Sequence, residues 1–123
     1  MKKRWKKLAT LELPEAYPSA NVYMRWHWAA QKKAITKWRW LIWYASQMAN
    51  RKFPIQAKKR RKVRITRYSQ RSIDHANCYL CGDKLILDNL TAMGWLVDDN
   101  LEFLELDIRP EKGKPKTVVE IYE

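Results

Sequence analysis

Leu104-Glu-Leu-Asp-Ile108 and Thr117-Val-Val-Glu-Ile121, linked through Pro110-Glu-Lys-Gly-Lys-Pro115, decide the fold class. In both runs apolar side chains recur at every second position, the period of a half-buried strand. The prolines and glycine between them read as a turn. Upstream the period changes. From about Asn77 to Met93 the residues Ile86, Leu90 and Met93 fall on one helical face, and Gly94 stands where a helix C-terminus is capped. Val63 and Ile65 alternate with Arg64 and Thr66, which predicts another strand. From about Arg25 to Asn50, Ala34, Trp38, Leu41, Ala45 and Met48 make an apolar helical stripe, with Lys32, Lys33, Lys37 and Arg39 on other faces. Pro54 closes this region, and Ala9, Leu11 and Leu13 alternate with Thr10 and Glu12 ahead of it. The expected order is β-α-β-α-β-β: an α+β fold over 1–123, one domain with a mixed β-sheet and two main helices.

A chain of 123 residues has room for one modest core, and 46% hydrophobic residues are enough to fold it. No apolar run approaches the roughly 18 residues of a membrane span. Met1-Lys-Lys-Arg-Trp-Lys-Lys7 starts like a signal peptide, but the alternating residues after it leave no apolar segment of useful length, so a cytoplasmic protein is expected. Charge is the first functional clue. Lys and Arg total 25 against 13 Asp and Glu, a net +12. Such an excess favours a polyanionic partner, because every neutralised phosphate releases a counterion. An anionic membrane surface competes on charge alone. The interleaving of basic residues with Trp and Tyr inside foldable segments points to nucleic acid. The candidate contacts are Lys58, Lys59, Arg60, Arg61 and Lys62, with Arg64 and Arg67 on the following strand and Lys32 and Lys33 on the first long helix.

Cys78 and Cys81 form a CxxC, too short a spacing to staple a loop, with only His27 and His75 as partners for a zinc site. A site built on His75, Cys78 and Cys81 is conceivable, but the deaminase pattern needs a Glu where Asn77 stands. Two reduced thiols packed on a helix is the plainer expectation.

The second long helix and its ends carry the chemistry. Asp74 precedes it, Asp98-Asp99 follows Gly94, and Asn77, Cys81, Lys84 and Asp88 share a stripe at α-helical spacing. Lys84 and Asp88 read either as an i,i+4 ion pair or as part of a carboxylate and ammonium set facing one cleft. The second reading suits phosphodiester hydrolysis, since carboxylate oxygens are what Mg²⁺ prefers and an ammonium can stabilise charge on the phosphoryl group.

Asp74-His-Ala-Asn77, Lys84-Leu-Ile-Leu-Asp88-Asn-Leu90 and Gly94-Trp-Leu-Val-Asp98-Asp99 resemble the D-x-D-N, K-x-x-x-D-x-L and G-x-x-x-D-D pattern of the RusA family of Holliday-junction resolvases, in its phage or prophage variant. Leu13-Pro14, Tyr17-Pro-Ser-Ala-Asn21, Trp26-His-Trp28 and Lys32 are similar to that family's N-terminal segment, so the likeness runs from about Leu11 to Glu120. The resemblance implies an intertwined homodimer that nicks branched DNA with Mg²⁺ or Mn²⁺. It implies Asp74 and Asp99 as metal ligands, Asp98 able to exchange with Asp99, Lys84 as the catalytic lysine, and Asp88 as a further candidate ligand.

The chain departs from the pattern at Ala76, which stands where the second aspartate of D-x-D-N belongs. Three explanations follow: Asp88 or His75 substitutes, the site holds one metal, or the protein binds junctions without cutting well. Seven tryptophans add a last clue. Trp38 lies on the apolar stripe and belongs to the core, while Trp40 and Trp43 lie off it, as a dimer surface or as a stacking platform for unpaired bases.

Overall fold

The computed structural model describes residues 4–49, 57–71, 73–97, 102 and 104–123. Along the chain come β1 (Lys7–Leu13), α1 (Ala20–Arg25), α2 (Trp28–Ala49), β2 (Arg61–Ser69), α3 (His75–Cys81), a π-helical turn (Gly82–Leu87), α4 (Asp88–Ala92), β3 (Leu104–Lys112) and β4 (Lys116–Tyr122). The strands form one mixed sheet of order β1-β4-β2-β3. β4 pairs antiparallel with both β1 and β2, while β2 and β3 run parallel in register from Arg61–Leu104 to Ser69–Lys112. Parallel neighbours need a crossover, and the helical run from His75 to Ala92 supplies it. The α+β class, the single small domain and the mixed sheet are as the sequence patterns predict.

Period-2 burial explains the sheet. Leu11, Leu13, Val63, Ile65, Val119 and Ile121 are fully or almost fully buried on the face that the helices cover. The opposite face carries alternating charges in ion pairs: Lys7 with Glu120, Lys62 with Glu105, and Arg64 and Arg109 both with Asp107. β3 runs through Pro110 to Lys112, so the predicted turn from Pro110 to Pro115 shrinks to 113–115. β3 is an edge strand, where a residue without an N–H is tolerated.

The expected helix from about Arg25 to Asn50 is α2, which begins at Trp28, and the short α1 stands ahead of it as an additional helix. Ser19 caps α1, its Oγ accepting from the Val22 N–H. The buried stripe of α2 is Ala34, Trp38, Ile42, Ala45 and Ser46, so Met48, expected in the core, faces solvent. Ser46 is buried because its hydroxyl joins two partners: it donates to the Ile42 carbonyl and accepts from the Trp95 indole N–H at 2.8 Å. Gly94 caps α4 as expected. It adopts φ 89°, while the Trp95 N–H reaches the Leu90 carbonyl and the Gly94 N–H that of Thr91, a Schellman arrangement.

The π-helical turn is the feature that spacing did not predict. A bond pattern of i→i+5 widens the helix and rotates the residues after Cys81. Cys81 is buried while Lys84 and Asp88 are exposed, so the single stripe expected for Asn77, Cys81, Lys84 and Asp88 is broken. Gly82 opens this turn. A methyl group on it would meet Ile108 Cδ1 at 3.0 Å and the Tyr17 hydroxyl at 3.1 Å. That hydroxyl donates to the Cys78 carbonyl at 2.9 Å and is not free to move aside. Gly82→Ala is therefore expected to destabilise the fold by about 1–2 kcal/mol, overpacking outweighing the gain in helix propensity. Urea unfolding checks this; an unchanged midpoint would show that the contact yields.

Candidate functional site

Asp74 occupies the N-cap of α3. Its Oδ1 accepts from the Asn77 N–H at 2.8 Å and its Oδ2 from the Asn77 side-chain amide at 3.1 Å. The Asn77 Oδ1 in turn accepts from the Asn21 N–H at 3.3 Å, which ties the head of α3 to α1. The carboxylate is nevertheless exposed, and two oxygens with about four acceptor sites keep capacity beyond these two bonds. His75 and Ala76 beside it are also exposed.

Lys84 lies on the π-helical turn with its ammonium 5.9 Å from the centre of the Tyr23 ring. It borders a cleft of about 300 Å³ together with Asp88, Arg39, Asn89 and Tyr23. Asn89 is buried and fixed, its amide donating to the Leu85 carbonyl at 2.7 Å while its oxygen accepts from Arg39 Nε at 3.4 Å. Asp74 stands about 15 Å from Lys84 along the helix axis by rise per residue. It does not line this cleft. Among the described residues no group of three His, Cys, Asp or Glu is placed to hold a metal ion. Asp98 and Asp99 lie outside the described residues. The structure thus brings together Lys84 and Asp88, leaves Asp74 apart from them, and adds Arg39 and Tyr23. The sequence signal for Arg39 is weak: it shares an i,i+4 row with Ile35 and Trp43, off the apolar stripe of α2.

The basic residues divide into two sets. Lys58, Lys59, Lys32 and Lys33 are exposed. Arg60 lies over the Trp5 ring and Lys32 over Trp28. Arg61 and Arg67, expected to face DNA, are buried, which corrects that expectation. Arg61 donates to the Trp95 carbonyl at 2.7 Å and pairs with Glu123, while Arg67 donates to the Tyr17 carbonyl at 2.6 Å and to Ser69 Oγ. These backbone carbonyls supply acceptors that the guanidinium groups need, because a buried charge must be fully hydrogen-bonded. Lys62 and Arg64 are half-buried and held by Glu105 and Asp107. Arg109 and Arg64 keep the Asp107 carboxyl below its ordinary range.

Both cysteines are free and buried, as the plainer expectation had it. The Cys78 Sγ lies 3.0 Å from the Tyr17 hydroxyl. Burial pushes the Cys81 thiol up from 9.0 to about 11, against the opposing pull of Lys84 and Arg67. A metal ligand or redox nucleophile must be a thiolate, so these positions do not favour a zinc or redox centre with exposed His75. No known protein-family model, curated protein or solved structure matches the chain.

Two tests follow. Asp74→Ala removes the cap and should cost about 1 kcal/mol of stability, whereas Asp74→Asn keeps an acceptor and should cost far less. Thermal unfolding of the two variants checks this, and equal losses would contradict the capping role. For Cys81 the folded state favours the neutral thiol. Its contribution to stability is complete below pH 9.0 and is lost as pH rises through about 11. Cys81→Ser should flatten that part of the stability profile; an unaltered profile would remove Cys81 as its source.

Proposed function

We propose that the chain is a metal-dependent endodeoxyribonuclease of the RusA kind, which resolves Holliday junctions or other branched DNA by hydrolysing phosphodiester bonds. The observation that carries this reading is one helical run bearing both chemical groups of the motif: an exposed carboxylate, Asp74, at its head and an outward ammonium, Lys84, at a π-helical turn. π-turns frequently occur at functional sites, and this one lies in a chain of net charge +12.

Asp74, with Asp99 or Asp98, is proposed to hold Mg²⁺ or Mn²⁺. The oxygen donors suit these hard cations, and Asp88 is the further candidate. When bound, such an ion polarises a phosphoryl oxygen and makes water acidic enough to attack. The protein's own part is positioning and charge. Lys84 stabilises negative charge developing on the phosphoryl oxygens. Lys58, Lys59, Arg60, Lys32 and Lys33 hold the DNA backbone without reading sequence. Lys58 and Lys59 precede β2 and Asp74 follows it, so nine residues of strand, about 26 Å, separate the two regions. That span suits a long duplex arm better than a small substrate.

A homodimer belongs to the proposal. A four-way junction has approximate two-fold symmetry and needs two opposed nicks, which a C2 pair provides. Among the described residues no helix is long and apolar enough to cross a membrane. A cytoplasmic setting accords with a DNA substrate.

Ala76 favours a second reading. It is exposed in the first turn of α3, where a carboxylate ligand would stand, so a junction-binding protein with weak or no cleavage is the alternative. One assay separates the two. Asp74→Asn and Asp99→Asn are expected to abolish Mg²⁺-dependent nicking while leaving junction affinity within about twofold, and Lys84→Ala to slow it by about 10²-fold or more. Undiminished nicking by the Asp variants, or by wild type in excess EDTA, would defeat the nuclease reading. Tight, steeply salt-dependent binding with no product under any divalent metal would establish the alternative.

A further inference from the structure

The cleft beside Lys84 does not end at Arg39. A second cavity of about 580 Å³ shares Arg39, Asn89 and Ala92 with it and continues along α2 to Trp40, Trp43 and Met93. The two make one groove with a polar end, Lys84, Asp88 and Arg39, and an aromatic end. Trp40 is 64% exposed there, a large cost to leave in water without purpose. Trp40 and Trp43 meet edge to face, with centroids 5.8 Å apart and planes at 79°, so the two rings do not cover each other's faces.

We propose that this groove binds an unpaired nucleotide of the DNA, its base stacked on the exposed Trp40 with Trp43 at its edge, and its phosphate held by Arg39 and Lys84. Each part of a nucleotide finds its complement in order. An aromatic face takes any base, and a guanidinium lying between rings and ammonium takes the anion. Both cavities have volumes within or at the edge of the range typical of small-ligand sites, roughly 300–1,000 Å³. Charge selects this occupant over a second copy of the chain. A second copy seated on this groove would bury Arg39 and Lys84 between two molecules of net charge +12 each, and cores of protein interfaces are depleted of charge. A polyanion reverses the sign of that interaction.

The proposal rests on the DNA-directed reading above and names its substrate class: branch points that expose an unpaired base. It is tested without divalent metal, so cleavage does not enter the result. The probes are a duplex with one extrahelical 2-aminopurine and a fully paired duplex of equal length and charge. Wild type should bind the first at least about fivefold more tightly, the lower edge of what one stacked base contributes. The 2-aminopurine should be quenched on binding. Trp40→Ala with Trp43→Ala should lose both the preference and the quenching at unchanged affinity for paired duplex, and Trp40→Phe should keep most of both. If the double variant fails to fold, the wild-type preference and its quenching decide. Equal binding of the two probes by wild type, or a preference that survives in the double variant, would overturn the proposal. So would a double variant that turns a dimer into a monomer by light scattering while keeping the preference, which would assign this face to a second copy. Failure to nick junctions leaves these results standing, so the two readings fail separately.

Discussion

The hydrogen bond from the Tyr17 hydroxyl to the Cys78 carbonyl holds the helical run in place against the rest of the protein. Tyr17 is fully buried, its ring meets Trp38 edge to face, and its own carbonyl receives the Arg67 guanidinium. One residue therefore joins the loop after β1 to α2, α3 and β2. Gly82 must be small for that residue to fit, and the π-helical turn begins at Gly82. Burial drives the Tyr17 hydroxyl strongly towards its neutral form, so the bond persists over the whole working pH range. The outward placement of Lys84 and Asp88, and the groove they border, depend on this packing.

What could be read from the sequence is what local periodicity encodes. Alternation at Ala9, Leu11 and Leu13 and at Val63 and Ile65 predicts strands whose inward residues are buried, and Gly94 marks the helix end where a positive φ occurs. The strands overran their predicted limits because ladder pairing, not side-chain alternation, sets strand ends. β3 continues past Pro110 since β2 remains beside it. The π-helical turn was not legible: Gly82 to Leu87 has ordinary helical composition, and the contacts that crowd it come from Tyr17 and Ile108, far away in sequence. The same reason hid Arg61 and Arg67. Their partners are backbone carbonyls of Trp95 and Tyr17, which no side-chain pattern can announce.

Charge, too, is partly redistributed by folding. The chain's excess of cations is plain from composition, yet the open face of the sheet is close to self-neutral, with Lys7, Lys62, Arg64 and Arg109 facing Glu120, Glu105 and Asp107. Exposed ion pairs of this kind add little stability individually. Their consequence is that the attractive field for a polyanion arises from other parts of the surface: the lysines ahead of β2 and the cationic side of α2. The groove between α2 and α4 lies next to the latter. Of the residues lining the cleft, Lys84 and Asp88 were singled out by their spacing, while Arg39, Asn89 and Tyr23 needed the fold to reveal them, and Asp74 lies apart.

The proposed nuclease function rests on an acid at the head of the helical run, a lysine turned outward at a π-turn, and a cationic surface. The direct measurement is cleavage of a synthetic four-way junction by the wild-type protein with Mg²⁺ or Mn²⁺, beside a linear duplex and an EDTA control. Paired, metal-dependent nicks in opposed strands of the junction and none in the duplex are the expected result. An intact junction under both metals, despite tight binding, would contradict it.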